Sequence, residues 1–267
     1  MKGQILPVKK EPSGRRSVEA QVEVPGTPED VWRAIATGPG ISSWFVPTTV
    51  EEKVGGNTRS SFGPGMDSDA KITVWEPTKR FVAETHEGPD TVATEWTVEA
   101  KDGGTCVVRV VHSWFASTDD WDGQFEGHSY GWIVFFQNLR LYLQHFCGQP
   151  SAIVALSAIS NDKDAWGRLV GSLGLADASA GACFATSAAL PQLSGVVEFV
   201  SPPQCPGLQL RIEQPSPGIA HLFAMPMGVQ VLLTLRLYLF GDQARAAAKQ
   251  VEADWRGWLD RQFPPQA

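Results

Sequence analysis

One stretch constrains the fold more than any other: Ser129–Phe146, Ser-Tyr-Gly-Trp-Ile-Val-Phe-Phe-Gln-Asn-Leu-Arg-Leu-Tyr-Leu-Gln-His-Phe. Trp132, Phe135, Phe136, Leu139, Tyr142, Leu143 and Phe146 recur at helical spacing and make one continuous apolar stripe. Ile133, Val134 and Leu141 lie off that stripe, so the first turns are apolar almost all round and are expected to be buried on more than one side. Gln137, Asn138, Arg140, Gln144 and His145 leave a narrow polar strip, and Gly148 and Pro150 end the helix.

Such a helix needs an apolar sheet to lie on, and the residues before it supply strands. Ser17–Val24 alternates, with Val18, Ala20, Val22 and Val24 on one face. Thr27-Pro-Glu-Asp30 opens a helix: Thr27 suits the cap, Pro28 the first turn, and Asp30 completes a capping box. Val31, Trp32, Ile35 and Ala36 give its apolar side, Gly38-Pro-Gly40 stops it, and Ile41–Phe45 reads as a second helical turn. Strands are expected at Thr48–Lys53, Thr58–Phe62, Lys71–Trp75, Arg80–His86, Thr91–Glu99 and Thr105–Phe115, separated by Gly- or Pro-bearing turns. Consecutive strands between two helical segments predict an antiparallel sheet with helices on one face.

The second half repeats the order of the first. Ser157–Ile159 leads to a helix over Asn161–Leu175, with Asn161 as cap, in which Ala165-Trp-Gly-Arg-Leu169 echoes Val31-Trp-Arg-Ala-Ile35. Ala176–Ala189 reads as a linker or loop. Strands follow at Gly195–Val200, Leu208–Glu213, Ile219–Ala224 and Val229–Phe240, and Asp242 caps a last amphipathic helix. The repetition predicts an internal duplication, the second copy shortened and its own cavity small or absent. Three segments result: a disordered basic tail over 1–16, a first domain over 17–150 and a second α+β domain over 151–267.

Charge and cysteine usage exclude several function classes. The net charge of −7 argues against nucleic-acid binding through bulk electrostatics. Lys2, Lys9, Lys10, Arg15 and Arg16 make only the N-terminus basic, as a solvated end or a weak phosphate- or membrane-surface contact. Cys106, Cys147, Cys183 and Cys205 lie far apart without a Cys-x-x-Cys, against a zinc cluster or a disulfide scaffold. The N-terminus has no apolar signal region, and the longest apolar run, Val229–Phe240, contains Arg236 and is too short to span a bilayer. A cytoplasmic protein without stable membrane insertion is expected. No Gly-rich loop opens a helix and no metal-ligand spacing occurs, so neither a cofactor nor a metal is expected; Asp67, Asp69, Asp119, Asp120 and Asp122 read as solvated loop residues.

Several landmarks fall in an ordered set: Trp32 in Val31-Trp-Arg-Ala-Ile35, Trp44-Phe45, Gly55-Gly56, Trp75-Glu-Pro77, Gly104-Thr105 leading a strand, and Gly131-Trp132 in the long helix. Over residues 17–147 the chain resembles the START-like SRPBCC superfamily, and within it the branch of the C-terminal domain of activators of heat-shock protein 90 ATPase. The resemblance implies an α+β helix-grip fold, in which a curved antiparallel sheet wraps a long C-terminal helix around a cavity. A second, shortened helix-grip-like unit follows. It implies little about chemistry, because members include lipid carriers, hormone receptors, polyketide cyclases and co-chaperones.

In that fold Trp44, Phe45, Trp75, Trp96, Trp114, Tyr130, Trp132 and Phe135 come together, either lining a ligand cavity or filling the core. His112 shares a strand face with Cys106, Val108, Val110 and Trp114, and either that face or the one bearing Arg109 points inward. Glu84 and His86 share a face and are an acid–base pair if it lines the cavity, or merely polar if it faces solvent. Gly127-His-Ser-Tyr-Gly131 fits Gly-x-Ser-x-Gly, but no strand runs into Ser129, so capping by Ser129 or His128 is the simpler reading. The candidate ligand-binding residues are Trp44, Phe45, Trp75, Glu84, His86, Trp96, His112, Trp114, Tyr130 and Phe135, and no catalytic residue is assigned. The functional expectation is binding of a hydrophobic small molecule. The alternatives are a co-chaperone activating a heat-shock protein 90 type ATPase, or a cyclase- or hydrolase-type enzyme acting in the cavity.

Overall fold

The computed structural model describes residues 8–63, 65–85, 91–115 and 122–264, and of residues 122–130 and 133 only the backbone. The chain divides into two compact units, Met1–Cys147 and Gly148–Ala267.

The first unit begins with β1 (Lys9–Lys10) and β2 (Arg15–Pro25), joined in a hairpin with Lys9 opposite Ser17. Residues 8–16 are therefore not a disordered tail: the backbone of Lys9–Lys10 finds partners on β2, and Glu11 N–H donates to the Arg15 carbonyl at 2.9 Å. The four apolar residues Val18, Ala20, Val22 and Val24 are all buried, as their alternation requires. Helix α1 (Pro28–Ala36) starts as its capping sequence predicts, with the Asp30 N–H donating to Thr27 Oγ1 at 3.2 Å and Thr27 Oγ1 donating to Asp30 Oδ2 at 2.9 Å.

Gly38-Pro-Gly40 does not merely stop α1 but opens α2 (Gly38–Ser42), whose cap is Thr37. The two helices meet so closely at Gly40 that a Cβ there would collide with the Arg33 carbonyl of α1. Gly40→Ala is therefore expected to cost about 1–3 kcal/mol, because backbone and not a flexible side chain stands in the way. Chemical denaturation of the variant checks this, and a change within experimental error would contradict it.

The meander then runs β3 (Thr48–Val50), β4 (Asn57–Ser61), β5 (Asp67–Glu76), β6 (Arg80–Thr85), β7 (Val92–Lys101) and β8 (Thr105–Phe115). Each strand pairs with the next and β2 closes on β8, giving the antiparallel order β1-β2-β8-β7-β6-β5-β4-β3. Asp67 and Asp69 are not loop residues but begin β5, where Arg59 of β4 reaches Asp67 at 2.6 Å and Asp69 at 3.6 Å. That cross-strand pairing is why a polar run is strand, and the Ser61 and Arg59 hydrogen bonds hold the Asp67 carboxyl below its ordinary range. Asp122 begins α3 (Asp122–His145), and Asp119 and Asp120 lie outside the described residues. The long helix thus starts seven residues before the apolar run and ends before Gly148, whose φ of 75° is the left-handed conformation of a C-terminal cap.

The second unit has the same plan with fewer parts. It comprises β9 (Ser151–Ser160), α4 (Ala165–Ser172), β10 (Cys183–Ala185), β11 (Ser194–Val200), β12 (Gly207–Gln214), β13 (Gly218–Met227), β14 (Gln230–Phe240) and α5 (Ala244–Gln262). The sheet order is β10-β11-β12-β13-β14-β9. As β2 pairs with β8, β9 pairs with β14; a helix again follows that strand, and a long helix again ends the unit. Ala165 and Leu169 are fully buried, as are Val31 and Ile35 in α1. Topology and local sequence agree: this is a second, shortened helix-grip-like unit, lacking an α2 and one strand of the meander.

Details of the second unit differ from expectation. Strand β9 runs the whole of Ser151–Ser160 because each of its residues faces one on β14. Asn161 is no cap: α4 begins after Asp164, and the Asn161 side chain accepts from Gln230 Nε2 at 3.0 Å. Gln243, not Asp242, stands at the cap of α5, and Cys183–Ala185 forms β10 inside the stretch read as a linker. No helix among the described residues is long and apolar enough to cross a membrane.

Candidate functional site

The inner face of the first sheet is set by register. Phe81 of β6 faces Trp96 of β7, which faces Val110 of β8; one row along, Ala83, Thr94 and His112 stand side by side. Cys106, Val108 and Val110 are fully buried, so the face of β8 that carries His112 and Trp114 points inward and the Arg109 face points out. Trp114 continues this face and packs with Val18, Val8 and Val92.

The opposing surface comes from two places. Trp44 is fully buried and held at both ends: its indole N–H donates to the Ala34 carbonyl at 2.9 Å, and its own carbonyl accepts from Asn138 Nδ2 at 3.3 Å. Ser42 Oγ accepts the Thr48 N–H at 2.9 Å and donates to the Gly38 carbonyl at 2.8 Å, fixing the turn after α2. With Trp44 pinned, Phe45 projects against α3. Its ring stacks on Trp132 at 5.0 Å and meets Phe135 edge-on at 4.6 Å and Phe62 at 5.6 Å.

These rings form one connected aromatic surface. Trp132 stands edge-on to Trp96 at 5.1 Å, and Trp96 stacks with Phe81 at 6.2 Å. Phe81 meets Trp75 at 5.6 Å, and Trp75 meets Trp32 at 5.1 Å. Trp75 thus belongs to the far end of the same network. Trp96, Phe81 and Phe136 are buried, whereas Trp132 and Phe135 are half-buried and Phe62 is 40% exposed. The inner end is filled by ring on ring, and the other end carries the half-buried Trp132 and Phe135 and the exposed edge of Phe62.

His112 is the polar group at that surface. Its ring lies 5.7 Å from the Trp132 ring, nearly parallel, and its Nε2 accepts the Trp132 indole N–H. An indole can only donate, so the proton of the neutral imidazole sits on Nδ1 and is donated to Thr94 Oγ1 at 2.9 Å. Both ring nitrogens are therefore engaged, and proton transfer through Nε2 requires Trp132 to turn away. Cys106 lies on the same strand face, but burial, with Glu29 and Asp30 nearby, pushes its thiol pKa up, and it donates to the Gly26 carbonyl at 3.4 Å. That environment is the reverse of one that makes a thiolate nucleophile.

The remaining candidates are distributed as follows. Glu84 pairs in register with Lys71 and Ala93, which puts it on the sheet face opposite Trp96 and His112, where it accepts from Thr73 Oγ1 at 3.2 Å. The structure therefore does not bring Glu84 to the aromatic surface. His86 lies outside the described residues. Tyr130 is in α3, with only its backbone described. Ser129 lies within α3 and not at a strand-to-helix turn, which removes both the nucleophile-elbow geometry and a capping role for Ser129 or His128. Among the described residues no group of three or more His, Cys, Asp or Glu side chains could hold a metal ion.

Three contributors escaped the sequence reading. Thr94 was legible as the alternation partner of Trp96 but carried no signal for a histidine contact. Phe62 sat at the edge of an expected strand. Asn138 was assigned to the polar strip of the helix, yet it is fully buried because it holds the Trp44 carbonyl.

No curated protein matches the chain. Among solved structures, a protein from Mesorhizobium loti is 24% identical over 49% of this chain and 98% of its own, with a TM-score of 0.44. DynU16, from the dynemicin biosynthetic locus, is 18% identical over 91% of this chain and 94% of its own, with a TM-score of 0.43. The Aha1 dimer from Colwellia psychrerythraea is 21% identical over 48% of this chain and 96% of its own, with a TM-score of 0.42. Residues 15–136, the sheet and the first half of its closing helix, match the family described as polyketide cyclase/dehydrase and lipid transport. Over those residues the chain is similar to this SRPBCC-type family.

Proposed function

We propose that the first unit binds a hydrophobic, ring-bearing small molecule at the half-buried end of its aromatic surface, near Phe62, Trp132 and Phe135, without catalysing a reaction. The observation that carries this reading is the change along one network: Trp96, Phe81 and Phe136 are buried, while Trp132 and Phe135 are half-buried and Phe62 is 40% exposed. Half-exposed aromatic surface beside the hydrogen-bonded Thr94 and His112 suits a ring-bearing ligand. The engagement of both His112 nitrogens supports binding over acid–base chemistry. His112 and Thr94 would then serve to hold Trp132 at a fixed angle beneath the ligand.

The test is a fluorescence titration with N-phenyl-1-naphthylamine, a neutral aromatic probe. Saturable binding is expected, weakened about tenfold in Phe62→Glu, since a carboxylate at that edge must be desolvated by the ligand. Because Phe62 is 40% exposed, the unfolding midpoint of the variant should barely move. Equal affinity of the wild type and the variant would refute the reading.

A further inference from the structure

In the second unit a groove of about 680 Å³ runs along one side of α5. Its apolar lining comes from the half-buried Leu190 and Pro191 of the β10–β11 connection, Pro215 and Ala247, with the buried Val251 and Trp255 beneath. The space exists because the helix presents small residues there: Ala247, Ala253 and Gly257 line it. Its size falls in the range of small-molecule sites.

Charge along the groove is asymmetric in its commitments. Asp254 accepts from Gln250 Nε2 at 2.8 Å, and Asp260 pairs with Arg256 at 4.0 Å. Arg261 lines the groove and forms no ion pair among the described residues. Its guanidinium lies across Gly257, with Nη1 3.5 Å from where a Cβ at that position would stand. A groove with half-buried apolar residues on its lining and a guanidinium without an ion pair among the described residues is complementary to an amphipathic anion.

We propose that this groove is a second small-molecule site, separate from the aromatic surface of the first unit, for a ligand with an apolar body and a carboxylate or similar anionic group. The body lies against Leu190, Pro191, Pro215 and Ala247, above the buried Trp255, and the anion meets Arg261. The proposal is independent of what the first unit binds.

The test uses the full chain and two probes that share one aromatic body. These are 8-anilinonaphthalene-1-sulfonate, which carries an anion, and N-phenyl-1-naphthylamine, which does not. The readout is the indole N–H resonance of Trp255 in proton–nitrogen correlation spectra, assigned with Trp255→Phe. The sulfonate should shift this resonance saturably. Arg261→Met should weaken the sulfonate about tenfold, the loss of one charge-assisted contact, and leave the neutral probe unchanged. Gly257→Leu, which meets only the flexible end of Arg261, should abolish the response to both probes by filling the groove. A Trp255 resonance that neither probe moves, or a sulfonate affinity unaffected by Arg261→Met or by Gly257→Leu, would overturn the proposal.

Discussion

Acidification is expected to destabilise the second unit through His221, well before its carboxylates titrate. His221 is buried, and burial together with the facing Arg236 lowers its pKa from 6.5 to about 3. Arg236 is its cross-strand neighbour on β14 and Gln209 its neighbour on β12. The Phe223 ring lies 4.7 Å from the imidazole and carries the Arg236 guanidinium at 5.5 Å. A protonated imidazole beside that guanidinium would place two like charges in a desolvated position. The unfolded chain takes up the proton near pH 6.5, whereas the folded chain refuses it until about pH 3. The contribution is therefore fully present above pH 6.5, falls away as pH drops through that window, and levels off below about 3. The total is on the order of 5 kcal/mol, at about 1.4 kcal/mol per unit of pKa difference. Denaturant unfolding of the wild type and His221→Asn between pH 7.5 and 4 measures it. The wild type should lose about 3 kcal/mol more than the variant over that range. Parallel pH slopes in the two proteins would contradict the assignment, whatever the absolute stability of the variant.

Removing Trp44 should have a comparable effect on the first unit. Trp44→Ala deletes a fully buried indole that packs tilted on Phe45 and edge-on to Trp96, a change that costs about 3–5 kcal/mol in well-packed cores. A further penalty arises because the Ala34 carbonyl lies in the last turn of α1, where no helical N–H is available to it. The Trp44 indole at 2.9 Å is its partner. Set against a total stability of about 5–15 kcal/mol for a typical domain, this leaves the unit marginal. Trp44→Phe keeps most of the packing and should recover more than half of the loss. Denaturant-induced unfolding followed by circular dichroism decides it: a cost below about 1 kcal/mol for Trp44→Ala would mean that Trp44 does not anchor Phe45 as described.

Much of the fold was legible because its signals are local. The alternation of Ser17–Val24, the Thr27–Asp30 capping box and the apolar stripe of the long helix each depend on neighbours a few residues apart, and each appears as its pattern requires. What was not legible depends on distant partners. Lys9–Lys10 and Asp67–Ala70 are too polar to read as strands alone, and become strands through the backbone of β2 and the charge of Arg59. Cys183–Ala185 becomes β10 only by lying beside β11.

The candidate site divides in the same way. That aromatics would gather could be inferred from their spacing, but the inward face of β8 could not be chosen from alternation, since Val107 and Val111 make the other face look equally apolar. The bond from Trp132 to His112 and the role of Asn138 join residues tens of positions apart, and nothing in the local pattern announces either. Glu84 was grouped with the site by its chemistry and parted from it by register.

The central claim is that the first unit holds a hydrophobic small molecule. Native mass spectrometry of freshly purified protein, compared with the same sample after denaturation, tests it most directly. A reproducible mass excess that disappears on denaturation, and that is reduced in Phe62→Glu, is the predicted result. A clean apo mass in the wild type, together with no saturable uptake of N-phenyl-1-naphthylamine, would contradict it.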